Sequence, residues 1–164
     1  MSGKAEGSGL RLVPAPSPDQ IGIAAGTVVM TADGALPVDF LEPGDRVVTR
    51  SGLRVLRHIH PHRYTGSAIR IREGALGHGR PDTPLVLPAH APVLIRDRRA
   101  TTVPGRKAMV IAAQDLADGE FVTLIETVSI RLYDLRFDAP EVIYAEGLEI
   151  ACPAAERALR FVAE

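Results

Sequence analysis

Tryptophan is absent from this chain of 164 residues, and aromatics make up only 4% of it. The core therefore has to be built from Val, Ile, Leu and Ala. A hydrophobic fraction of 46% is enough for one globular domain of this length. The single cysteine, Cys152, excludes an intrachain disulfide. No apolar run approaches the ~20 residues that span a bilayer, so no membrane partner is expected. No charged start followed by an apolar stretch marks a secretory signal. The cytoplasm is the expected compartment, with unconventional secretion left open.

An excess of charge is lacking as well, since the formal net charge is −1. The distribution is uneven nonetheless. From Arg46 to Lys107 there are 13 Lys or Arg against 3 Asp or Glu, and from Ala108 to Glu164 the balance is 4 against 11. One reading is a basic face for nucleic acid or an acidic partner. The other is internal pairing between the two parts. The basic residues are spread singly and are nearly all Arg, which suits fixed carboxylate pairing. Nucleic acid is therefore not the expected partner.

What the chain does have is turns, with Gly 15 and Pro 13. They suit short strands better than long helices. Residues 1–20 carry Pro14, Pro16 and Pro18 among small and charged residues and read as a flexible leader, with Leu10–Val13 its only apolar contact. The domain is expected over 21–152, and 153–164 read as a tail with helical flavour, Ala155, Leu159 and Val162 lying on one side.

The stretch Gly22–Thr49 is the densest in signals. Val28–Thr31 is a β-branched run, Asp33-Gly34 a turn that wants positive φ, and Leu36–Phe40 a returning strand. Pro43-Gly44 turns again, Arg46–Arg50 alternates, and Ser51-Gly52 sends the chain back. Gly26-Thr27, Gly34, Val38, Leu41, Gly44-Asp45 and Val47 together resemble the opening block of the Hint family, the Hedgehog/intein autoprocessing domains, and in particular the bacterial stand-alone type. In that family a Cys begins the domain, x-x-x-Gly-Thr follows, and a strand and a Gly turn lead to Val-x-x-Leu-x-x-Gly-Asp-x-Val. The position of the Cys is Gly22 here.

Later segments carry the resemblance more thinly. Leu53–His60 reads as one long strand, and Ile69–Arg72 as a strand with Ile inward and Arg outward. Glu73–Pro81 is a Gly-rich connection without a phosphate-loop lysine. The family has a similar Arg-Ile-x-x-Gly-Ala-Leu-Gly segment at this place. In Leu85–Ile95 the family places a Ser or Thr three residues before a His. This chain keeps His90 and has Leu87 for the hydroxyl. Arg96–Arg99 reads as a hairpin tip and Val103–Arg106 as a turn. Lys107–Leu116 reads as a strand running into a short helical turn at Ala112–Leu116. Thr127–Asp138 offers Val128, Ile130, Leu132, Leu135 and Phe137 as core, and its change of phase suggests a bulge near Tyr133-Asp134. Glu141–Ala145 and Leu148–Ala151 close the domain around Gly147. The family's His-Glu-Val there corresponds to Pro140-Glu141-Val142.

The resemblance implies an acyl shift by a side-chain nucleophile on the carbonyl just upstream. Gly22 offers no attacking atom, Leu87 no hydroxyl donor and Pro140 no general acid or base. It also places His90 in a cleft with Gly22, Leu87 and Pro140–Ile143, and there burial would keep it neutral and bonded to a backbone group. Cys152 is either a small residue closing the domain edge or, with His90, a thiol-dependent catalytic pair. His58, His60 and His62 share one face of a continuous strand, a spacing that could hold zinc, although Pro61 interrupts the run. No cofactor is implied.

The expectation is an all-β, Hint-type compact bundle of short twisted hairpins with a short C-terminal helical tail. Three functions stay open: a degenerate Hint domain serving as a structural or interaction module for a protein partner, an active autoprocessing or thiol-dependent enzyme using His90 and Cys152, and an acidic-partner or nucleic-acid binder acting through the Arg-rich middle.

Overall fold

The computed structural model describes residues 20–95 and 109–155. Residues 1–19 of the expected leader, the Arg96–Arg99 hairpin tip, the Val103–Arg106 turn and the tail beyond Ala155 lie outside the described residues. Two antiparallel sheets make up the fold. One has the order β1-β10-β6-β7, formed by Ile23–Ala24 (β1), His58–Ile71 (β6), Leu85–Pro88 (β7) and Val122–Arg136 (β10). The other contains Val28–Thr31 (β2), Gly34–Pro37 (β3), Arg46–Thr49 (β4), Gly52–Val55 (β5), Pro92–Ile95 (β8), Met109–Ala112 (β9), Glu141–Ala145 (β11) and Leu148–Cys152 (β12). Its order is β3-β2-β4-β11-β12-β8-β9, with β5 on β4 and a further pairing of β2 with β11.

The first hairpins share a local device. Thr31 Oγ1 donates to the Gly34 carbonyl and accepts from the Asp33 N–H; Thr49 Oγ1 does the same with Gly52 and Ser51. Thr31 pairs with Gly34 and Thr49 with Gly52. The turn residues are thus Ala32-Asp33, one position before the expected Asp33-Gly34, and positive φ falls on Gly34, at +102°. The glycine closes the hairpin as its bulge residue. The β11–β12 hairpin is of the primed type, with φ +51° at Glu146 and +86° at Gly147. Glu146 is held there because its carboxylate accepts the Val28 N–H at 3.0 Å.

The expected strand Leu53–His60 is divided. Leu56 turns inward, its N–H on the Asp45 carbonyl and its carbonyl on the Gly44 N–H, with its side chain fully buried. The chain leaves one sheet there and enters the other at His58, a corner at which a strand changes sheets. From His58, β6 continues through Pro61 to Ile71. Between His58 and Gly66 it is paired only with β10, because β7 joins it at Ala68. An edge backbone tolerates a residue without an N–H.

The irregularity in β10 lies between Ile125 and Val128, and the register from Val128 to Arg136 is unbroken. The bulge expected near Tyr133-Asp134 is absent, and the change of phase arises because this strand buries one face over Val128–Leu132 and the other over Tyr133–Phe137. Val128, Ile130 and Leu132 pack with Ala24 and Tyr64 in a small cluster. Tyr133, Leu135 and Phe137 turn to the main core, which holds Ile23, Leu56, Ile69, Leu87 and Ile143. Fully burying a side chain of this size is worth about 1.5–3 kcal/mol. Ile69 and Ile71 point inward and Arg70 and Arg72 outward, as the alternation predicts. The strand β9 runs into a 3-10 turn, Ala113–Leu116, again as predicted. After Cys152 the chain stays extended through an isolated bridge from Ala154 to Phe137.

Candidate functional site

Gly22 sits at the entrance of β1, which pairs with β10 through Ile23 opposite Tyr133 and Ala24 opposite Leu132. Its φ of +144° is one that favours glycine. A Cβ at this position would lie 2.9 Å from Leu132 Cβ and 3.1 Å from the Tyr133 carbonyl oxygen. The backbone is thus seated directly on β10, with no room for a side chain. The carbonyl immediately upstream, that of Ile21, lies 3.0 Å from Nε2 of His62. A carbonyl can only accept, so His62 carries its proton on Nε2 and donates. His62 stands opposite Leu132 in the β6–β10 ladder, on the residue that would meet a Gly22 side chain. The sequence singled out His62 for metal spacing alone. The contact with Ile21 bridges 41 positions and has no local signal.

The other family positions do not converge into a polar cleft. Leu87 is fully buried and pairs with Ile69. Pro140, just ahead of β11, is exposed. His90 was expected in the interior and is exposed. It occupies the turn between β7 and β8, which is closed by the Ala91 N–H on the Pro88 carbonyl at 3.0 Å. The flanking Ala89 and Ala91 take the buried places.

Cys152 lies in β12 opposite Glu141 and belongs to the main core. Burial, reinforced by the neighbouring Asp134 and Glu141 carboxylates, pushes its thiol up to about 12, and the Arg136 guanidinium offsets only part of this. Arg136 is committed to Asp134 through two bonds of 2.9 Å. A buried thiol of this kind is a poor nucleophile at neutral pH. Cys152 is buried, whereas His90 is exposed to solvent.

His58 and His60 lie on one strand face as expected and stack, with ring centroids 5.8 Å apart. His62 is engaged with Ile21 instead. Among the described residues no group of three His, Cys, Asp or Glu could hold a metal ion.

Part of the uneven charge is matched internally. Arg50 pairs with Glu149 at 3.5 Å, Arg54 with Glu141 at 3.5 Å, and Arg57 with Asp138 through two bonds of 2.9 and 3.0 Å. Each pair joins the Arg-rich middle to the acidic C-terminal part. Among the described residues no helix is long and apolar enough to cross a membrane.

Several solved structures share the architecture. A crystal structure of the gp41-1 intein is 15% identical, with a TM-score of 0.52 over 79% of this chain and 96% of that one. The TvoVMA intein is 11% identical, with a TM-score of 0.57 over 79% and 96%. A bacterial intein-like domain from Clostridium thermocellum is 12% identical, with a TM-score of 0.55 over 81% and 98%. At these identities the likeness is one of fold. No match was found among curated proteins. A family model described as the Hint domain matches residues 21–152. The chain belongs to the Hint domain family.

Proposed function

We propose that this Hint domain does not cleave its own backbone and serves as a folded structural or interaction module for a protein partner. The observation that carries the reading is the seat of Gly22. Autoprocessing of the Hint type starts with a nucleophile at this residue attacking the Ile21 carbonyl. Gly22 has no attacking atom, and the 2.9 Å approach to Leu132 leaves no space for one. The Ile21 carbonyl accepts a hydrogen bond from His62, as an electrophilic carbonyl would, but nothing beside it can attack.

The supporting groups point the same way. Leu87 is apolar core where the family has a hydroxyl, and Pro140 replaces the later His. The thiol-dependent alternative is disfavoured by the depth of Cys152 and its raised pKa. A general nucleic-acid surface is disfavoured by the commitment of Arg50, Arg54 and Arg57 to internal carboxylates. The test is survival of the Ile21–Gly22 bond through expression and thiol treatment.

A further inference from the structure

We propose that the concavity beside the Gly-rich connection is a binding site for an oxyanion, the phosphate or carboxylate group of a ligand. It has a volume of about 480 Å³ and is lined by Arg70, Arg72, Glu73, Gly74, Gly79 and Pro84. It goes beyond the module reading and does not depend on whether the domain cleaves itself. It is also remote from Gly22, since Arg70 is eight residues beyond His62 on β6, about 26 Å at the rise of an extended strand.

Three observations carry the assignment. The first is unspent charge. Arg50, Arg54, Arg57 and Arg136 each have a carboxylate partner, whereas among the described residues neither Arg70 nor Arg72 makes an ion pair. Both leave the same face of β6, two positions apart, and both are exposed. Their alternation with Ile69 and Ile71 fixes that face, because the isoleucines are fully buried.

The second is a preset guanidinium. The Arg72 guanidinium lies over the Phe121 ring at 5.5 Å, and the backbone N–H of Arg72 donates to the Phe121 carbonyl at 2.9 Å. Phe121 is itself pinned, with its N–H on the Asp118 carboxylate at 2.8 Å. Asp118 also accepts from Glu120 and Val122. These three amides hold its carboxyl below the usual range. Stacking on an aromatic face leaves the guanidinium edge, with its N–H groups, free for a planar or tetrahedral oxyanion.

The third is the wall of glycines. A Cβ at Gly74 or at Gly79 would meet nothing within 4 Å, so both border open space, and φ values of +74° and +72° reserve the positions for glycine. Glu73 in the lining opposes an anion, but the two arginines leave the lining net positive.

The probes are sodium pyrophosphate and sodium succinate, added to the 15N-labelled chain at constant ionic strength. The amides of Gly74, Gly79 and Phe121 report binding, and the better of the two anions distinguishes a phosphate from a carboxylate ligand. The expected result is a saturable shift confined to residues 70–84 and 118–123. It should weaken roughly tenfold or more in Arg70→Gln and in Arg72→Gln, in keeping with the loss of a charge-assisted bond. Glu73→Gln should tighten it, and Arg131→Gln, which lies outside the concavity, should leave it unchanged. Both arginines are exposed, so these variants keep the fold, as their otherwise unchanged amide spectra would show. Linear shifts without saturation for both anions, or equal affinity in Arg70→Gln and Arg131→Gln, overturn the proposal.

Discussion

Nε2 of His62 lies 3.0 Å from the carbonyl oxygen of Ile21, the bond upstream of Gly22. The contact fastens the start of the domain to β6 in the middle of the β6–β10 ladder. His62→Ala should cost about 1 kcal/mol, the usual net value of one such bond. Amide exchange at Ile23 and Ala24 should speed up more than at Ile69 in β6. Uniform acceleration through the whole of β6 would mean that His62 acts as packing and not as an anchor.

Gly22 should resist substitution. In Gly22→Ala the new Cβ meets Leu132 Cβ at 2.9 Å and takes a φ of +144°. Strain of this type costs about 1–3 kcal/mol, measured as a lower midpoint in urea. Gly22→Cys should be destabilised in the same way and should still not cleave with dithiothreitol, because Leu87 and Pro140 supply no supporting groups. Efficient cleavage in that variant would show that β1 can move off β10 and that those two positions matter little.

The Cys152 thiol should react far more slowly with a thiol reagent in the native protein than in denaturant, and His90→Ala should not change the rate. Its pKa is raised in the fold, to about 12 from 9.0. The folded state therefore binds the extra proton, and the thiol favours folding fully only below the unfolded value. That contribution is lost as pH rises from about 9 towards 12, so wild type should lose stability more steeply there than Cys152→Ala. Parallel stability curves for the two proteins would place the thiol in contact with water.

Asp118 has the opposite sign. Its carboxylate accepts from Glu120, Phe121 and Val122 at 2.8–2.9 Å, and its pKa is lowered. The stabilisation is present above the unfolded value of 3.8 and is lost as pH falls through the folded one. Asp118→Ala should lower the thermal midpoint at neutral pH and lose this difference from wild type in acid. A difference that persists in acid would rule out the carboxylate as its source.

The parts legible in the sequence are those with local causes. The turns around Gly34, Gly44 and Gly52 and the alternation at Ile69–Arg72 follow from φ preferences and period. The passage from β9 into the 3-10 turn is equally local. What escaped has causes elsewhere in the chain. His-Pro-His looked like a break, yet Pro61 sits on an open strand edge. The change of phase at Leu132–Leu135 looked like a bulge, yet β10 has a different core on each face. His90 looked interior by family likeness, but its turn points it outward between two buried alanines. Partners such as Ile21 and His62, or Arg57 and Asp138, are 41 and 81 positions apart, and no pattern in the chain links them.

The most direct test of the central claim is the intact mass of the purified chain, taken before and after incubation with dithiothreitol at neutral pH. The account predicts one species at full-length mass in both samples, because Gly22 provides no nucleophile and its seat on Leu132 excludes one. A fragment beginning at Gly22, released by thiol, would contradict it.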